Sequence, residues 1–229
     1  MAPATQSAEI VFSIACRRCE RLAGFLSEIA RAHPAYYAKP VPSFGPERPA
    51  LLIVGLAPGL HGANRTGRPF TGDHAGVLLY RTLHRFGFAS RPDSVSANDA
   101  LRLIDCRITN AVRCVPPGNK PSTAEVKTCN DYLRDEIQRL ATGAAVLALG
   151  NVAHLAIVRA NDVRTKAYRF AHGAIHRLPA GIVLFDSYHC SRYNTQTGRL
   201  TESMFAAVIA AIRSYLEPPD AESSKHPAK

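Results

Sequence analysis

Residues 51–59 read LLIVGLAPG. An unbroken apolar run closed by Gly and Pro suits a strand buried on both faces, at the centre of a parallel sheet. The signature recurs. RITNAVRCVPP (107–117), AAVLALG (144–150) and GIVLFDSYHCS (181–191) each end an apolar stretch at a turn or loop. Helical patterns separate them, over 9–32, 75–86, 122–141, 151–160 and 201–216. Val77, Leu78, Leu79 and Leu83 are the predicted buried side of the second helix; Phe25, Leu26 and Ile29 that of the first. Ser122-Thr123-Ala124-Glu125 resembles a capping box at the start of the third. Alternation of buried strands and helices predicts a single-domain α/β/α sandwich with a central, mainly parallel four-stranded sheet. The domain spans 1–216, and the polar tail 217–229 reads as disordered.

In such sheets ligands gather at the carboxyl ends of the strands. GLAPG, TNAVRC and DSYHCS occupy those ends, so the three segments are expected to share one cleft. The Gly-rich loop 60–76, LHGANRTGRPFTGDHAG, follows the first of them. It matches neither G-x-G-x-x-G nor a Walker loop. Its glycines suit close approach of backbone to a ligand, or simply a tight strand-to-helix turn.

The chain of 229 residues carries a formal net charge of +10 and is 46% hydrophobic. Such a surplus favours polyanions, nucleic acid above all. Arg65 and Arg68, Arg113 and Lys120, and Arg192 and Arg199 flank loops of the kind that grip a phosphate backbone. No apolar run reaches membrane-spanning length, and the first residues lack the pattern of a secretory signal. A cytoplasmic, reducing location is expected, with no membrane partner and a monomeric chain.

Six cysteines are present. Cys16 and Cys19 form a C-x2-C pair; Cys114 and Cys129 follow, with 14 residues between them. Two thiolates from a tight pair and two from afar complete a four-sulfur shell for zinc or an iron–sulfur cluster. The competing reading is four reduced, buried cysteines acting as small hydrophobes. Cys106 reads as plain core.

Four residues in polar loops or at strand ends carry candidate chemistry. Phe70 is placed to stack on a base or to plug its loop onto the core. Asp73 follows Gly72 in PFTGD and precedes a helix that its carboxylate can cap. Asn110 ends a strand, where an amide reads a base edge or satisfies a turn. His189 also ends a strand, where it stabilises developing negative charge or is merely structural. The nine His residues show no metal-ligand spacing.

GLAPGLHGANRTGRPFTGD, TNAVRCVPPGNKP and SYHCSRYNTQTGRLT together resemble the signature segments of the uracil-DNA glycosylase superfamily. The best match is its family 5, the type-b iron–sulfur enzymes, over roughly residues 14–216. The resemblance implies a DNA-repair glycosylase that flips uracil and other deaminated bases out of DNA and hydrolyses the N-glycosidic bond. It implies a 4Fe–4S cluster on Cys16, Cys19, Cys114 and Cys129. Phe70 maps to the base-stacking aromatic, Asn110 to the base-reading amide and His189 to the histidine of the last motif. Asp73 maps to the acidic residue of the first motif loop. Gly55 and Ala57 fall beside the base, and Ala57 stands where related families carry an acidic or amide residue. SRYNTQTGRL becomes the wedge loop, with Arg65, Arg192 and Arg199 on DNA and Tyr193 or Leu200 filling the gap left by the base. The last motif departs from the family's His-Pro-Ser: here it is His189-Cys190-Ser191. A non-catalytic, zinc-stapled or iron–sulfur nucleic-acid-binding protein would explain charge and cysteines but not GLAPG or SYHCS.

Overall fold

The computed structural model describes residues 11–179 and 181–217. Its strands are β1 (Leu51–Gly55), β2 (Cys106–Asn110), β3 (Ala145–Leu149), β4 (Ile175–Arg177) and β5 (Val183–Ser187). Its helices are α1 (Glu20–Ala32), α2 (Ala63–Thr66), α3 (His74–Arg85), α4 (Thr123–Gln138), α5 (Asn151–Ala160), α6 (Arg192–Gln196) and α7 (Glu202–Leu216). The sheet order is β2-β1-β3-β5-β4. Four strands run parallel, and β4 lies antiparallel on β5. The sheet therefore has five strands rather than the expected four. The extra strand is only three residues long and mostly exposed, so it carries no apolar alternation to betray it.

Every residue of β1, β3 and β5 is buried. Alternate side chains supply two cores. Leu52, Val54, Val146, Ala148 and Leu184 pack with residues of α1, α4 and α5. Leu51, Ile53, Leu147, Val183 and Phe185 pack with residues of α3 and α7. Each fully buried aliphatic side chain contributes about 1.5–3 kcal/mol, which makes the sheet a rigid base for the loops at its edge.

Several boundaries differ from expectation. The first helix begins at Glu20, with Cys19 as its N-cap, so the cysteine pair lies in the turn before it. Residues 9 and 10 of that predicted helix lie outside the described residues. The strand expected to run into a Pro-rich loop within 107–117 does so: it ends at Asn110, and the loop carries Cys114. Val77 is 53% exposed rather than buried, while Leu79 and Leu83 are fully covered. The capping box forms as read: Ser122 Oγ accepts the Glu125 amide at 3.2 Å and Glu125 Oε2 accepts the Ser122 amide at 2.7 Å. Beyond Glu217, the predicted tail is outside the described residues. Among the described residues no helix is long and apolar enough to cross a membrane.

From β1 the chain passes to β2 on one side and later to β3 on the other. This reversal opens a crevice at the carboxyl ends of β1 and β3. Gly55 is level with Asn110, and Leu149 with Ser187. The three signature segments leave the sheet along one edge.

Candidate active site and cysteine centre

The loop after β1 is held from beneath by a buried guanidinium. Arg68 donates to Thr71 Oγ1 at 2.9 Å, Ser94 Oγ at 2.6 Å and Asp99 Oδ2 at 2.6 Å. Burial alone would raise the Asp99 carboxyl, but Arg68 and the amides of Val95, Ser96 and Leu101 hold it well below the usual range. Arg68 is thus a structural anchor and not a phosphate contact. The same correction applies to Arg113, which is buried against Glu136 at 2.7 Å. Next in the loop, Tyr80 donates its hydroxyl to the Pro69 carbonyl at 2.8 Å. Phe70 has φ +53°, a conformation uncommon for an aromatic residue. Gly76 is needed here, because a Cβ would collide with the Phe70 carbonyl.

This anchoring brings Phe70 to the end of β1. A Cβ on Gly55 would meet Asn110 Oδ1 and lie 2.6 Å from Phe70 Cζ. Gly55, Phe70 and Asn110 therefore form one tight cluster. Asn110 is 3% exposed, and its Oδ1 is buried with no hydrogen-bond partner. It does not satisfy a turn. His189 faces Phe70, the rings 5.9 Å apart and 29° from parallel. Burial pushes the His189 imidazole down to about 4, so it is neutral at physiological pH.

Asp73 caps α3, its Oδ1 accepting the Gly76 amide at 2.9 Å. Its Oδ2 lies close to Gly59 and Gly62; a Cβ on Gly62 would stand 2.6 Å from it. Burial raises the Asp73 carboxyl, opposed by the amides of Gly76 and Ala75. Ala57, partly buried in the same turn, adds no polar side chain there. Gly59, Gly62, Arg65, Asp73, Val77 and Arg192 line a cleft of about 880 Å³.

The segment after β5 contains a short helix, α6, rather than pure loop. Ser191 caps it by accepting the Asn194 amide at 3.4 Å, and Asn194 Nδ2 donates to the His189 carbonyl at 2.7 Å. His74 Nε2 and Thr195 Oγ1 meet at 3.0 Å, tying α6 to the start of α3. Tyr193 is 70% exposed, whereas Leu200 is 1% exposed. Leu200 belongs to the core and cannot act as a wedge. Arg65 and Arg192 are exposed at the cleft; Arg199 lies over the Tyr188 ring at 4.7 Å. Cys190 is fully buried, and its thiol is pushed up to about 12 by burial and by Asp73. At that position it packs as a small hydrophobe and offers no exposed thiol.

Cys16, Cys19, Cys114 and Cys129 carry free thiols and line one pocket. Arg21 on α1 ties this region to α4 through two bonds to Glu125, at 2.8 and 2.7 Å. Burial pushes the Cys114 thiol up to about 12 and Cys129 to about 11, the sulfurs also opposing one another's charge. Buried thiols become thiolates when a cationic centre is among them. A single tetrahedral zinc, with Zn–S of about 2.3 Å, needs sulfurs about 3.8 Å apart. Among the described residues no three of these sulfurs lie within 4.8 Å of one another. Four thiols lining one pocket are a donor set that suits a thiolate-bound metal centre.

Two clusters escape sequence spacing. The buried Asp186 accepts from His154 Nδ1 at 2.8 Å and from His176 Nε2 at 3.2 Å, pinning β4 to the sheet. His172 meets the backbone beside His189: the Tyr188 amide donates to its Nδ1 at 3.2 Å. In each, the partners are separated by 10 or more residues of sequence with no fixed motif.

Comparison with known proteins agrees with this geometry. The family model of the uracil DNA glycosylase superfamily matches residues 42–213. The type-5 uracil-DNA glycosylase of Thermus thermophilus is 46% identical over 201 residues, covering 85% of this chain and 91% of the relative. That of Mycobacterium tuberculosis is 46% identical over 197 residues, covering 82% and 74%. That of Pyrobaculum aerophilum is 38% identical over 198 residues, covering 85% and 86%. With the parallel sheet, the three converging segments and this extent of identity in hand, the chain belongs to the uracil-DNA glycosylase superfamily and, within it, to the type-5 family.

Proposed function

We propose that this DNA N-glycosylase excises uracil and other deaminated bases from DNA by flipping the target nucleotide into the cleft beside β1. The observation that carries the reading is the unpaired, buried Asn110 Oδ1. Leaving a buried acceptor unmet costs about 1–3 kcal/mol. Uracil supplies the missing partner: its N3–H donates to Oδ1 while its O4 accepts from the amide nitrogen. Hypoxanthine and xanthine present a similar carbonyl beside an N–H. Cytosine presents the reverse pattern and leaves both amide groups unmet. Phe70 supplies the stacking face, Gly55 lets Phe70 and Asn110 close onto the end of β1, and Ala57 adds no polar group beside the base.

Bond breaking leaves the base as an anion and the sugar as an oxocarbenium-like cation. A neutral His189 donates a hydrogen bond to the departing base oxygen. Asp73 is the carboxylate at the cleft that orients water toward C1′ and takes its proton. Arg65, Arg192 and Arg199 sit on the DNA side, and Tyr193 fills the gap in the stack. Cys16, Cys19, Cys114 and Cys129 would hold a 4Fe–4S cluster, which when bound supplies a cross-link from the N-terminal segment to α4. The protein is read as a cytoplasmic monomer acting on DNA. A non-catalytic binder is not favoured, since the relatives matched over most of the chain are named as glycosylases.

The test is release of free uracil from a duplex with one G·U pair, with iron and sulfide measured on anaerobically purified protein. Uracil release leaving an abasic site, from protein containing iron, is expected. DNA binding without base release rejects the enzyme reading; protein without iron rejects the cluster.

A further inference from the structure

We infer that His172 is a positioning residue for His189, holding the backbone of the 187–189 segment by accepting the Tyr188 amide at Nδ1. The inference deepens the role proposed for His189 and rests on it. After β5 ends at Ser187, four backbone groups of this segment are held. The Ser187 carbonyl accepts the Gly150 amide at 2.8 Å. The Tyr188 amide donates to His172 Nδ1 at 3.2 Å. The Tyr188 carbonyl accepts from Ser187 Oγ at 3.0 Å, and the His189 carbonyl from Asn194 Nδ2 at 2.7 Å. Two of these contacts come from within the segment and α6, and the Gly150 amide reaches in from the end of β3. His172 brings a contact from a separate stretch of chain, and it acts one residue before His189.

That stretch is itself fixed. The Gly173 amide donates to the Asp186 carbonyl at 2.8 Å, and the Asp186 amide to the Ala174 carbonyl at 2.9 Å. His172 is therefore locked to the edge of β5 that delivers His189. Its ring stacks on Tyr188 with centroids 5.0 Å apart and planes 19° from parallel. The Arg199 guanidinium lies over the same tyrosine ring at 4.7 Å. An amide pointing at Nδ1 requires a lone pair there, so the neutral ring carries its proton on Nε2. Burial pushes the imidazole below its ordinary value, in keeping with that neutral form. The device acts on aim: a displacement of about 1 Å at a catalytic group costs up to about a hundredfold in rate.

Two substitutions separate the acceptor from the ring. His172→Phe keeps a ring against Tyr188 and removes the acceptor. His172→Asn keeps an acceptor near the Nδ1 position and removes the stack. Single-turnover uracil release, duplex affinity and thermal midpoint are measured for both, with His189→Ala alongside. The expected result is release slowed about tenfold or more in His172→Phe, with affinity within about twofold of wild type. His172→Asn should recover to within about threefold of the wild-type rate. Three results overturn the inference: His172→Phe as fast as wild type, both variants equally slow, or His172→Phe losing DNA affinity and stability together with rate. A normal rate in His189→Ala would sink the role of His189 itself, and this inference with it.

Discussion

Replacing His189 with Gln should remove much of the acid sensitivity of folding that this residue creates. Burial lowers its imidazole from 6.5 to about 4. Between those values the unfolded chain binds a proton that the folded chain refuses, so stability falls as pH falls through that window. The whole gap corresponds to about 3 kcal/mol, and the part expressed between pH 7 and pH 5 is roughly 2 kcal/mol. Other groups titrate over the same range, including His172, which is lowered, and His154, which Asp186 raises against the opposing effect of burial. They remain in both proteins and cancel when variant is subtracted from wild type. Urea denaturation of wild type and His189→Gln at pH 7 and pH 5 provides the comparison. Wild type should lose roughly 2 kcal/mol more than the variant on acidification. Equal losses would refute the argument, for they would mean that His189 takes its proton as freely folded as unfolded. Burial would then not be what keeps His189 neutral under mildly acidic conditions.

Two further outcomes follow from the same geometry. Gly55→Ala places a methyl against Asn110 Oδ1 and the Phe70 ring; it should slow uracil release at least about a hundredfold. Arg192→Ala removes an exposed cation at the cleft; it should weaken duplex binding alike for uracil-containing and normal DNA and reduce the log–log salt slope by about 1.

Much of the fold was legible because its central strands are buried on both faces. LLIVG and AVLAL announce themselves through unbroken apolar runs, and Gly or Pro marks where each stops. The strand Ile175–Arg177 was silent for the opposite reason: it is short, exposed and held by His176 reaching Asp186. Charge misled where pairing is tertiary. Arg68 and Arg113 sit in polar loops, yet each is buried against an acid 31 or 23 residues away, Asp99 or Glu136. Sequence spacing carries no sign of such partners. Leu200 misled similarly, since a polar loop around it conceals that its own side chain turns into the core. Asp73 was readable as a helix cap, and the cap is real; what sequence could not show is that Gly59 and Gly62 leave its second oxygen at a cleft wall. His172 lay outside any motif because its importance rests on one backbone amide 16 residues away.

The central claim is that Asn110 and Phe70 hold a flipped base while a neutral His189 helps its bond to break. The most direct test is single-turnover release of uracil from a G·U duplex by wild type and His189→Ala, with duplex affinity measured on both. Removing one charge-stabilising donor costs about a hundred- to a thousandfold in rate in well-studied sites. The account predicts release by wild type and release at least about tenfold slower by His189→Ala, with affinity near that of wild type. A His189→Ala protein that releases uracil as fast as wild type would contradict it and leave the departing base to the backbone donors around Gly55–Gly59.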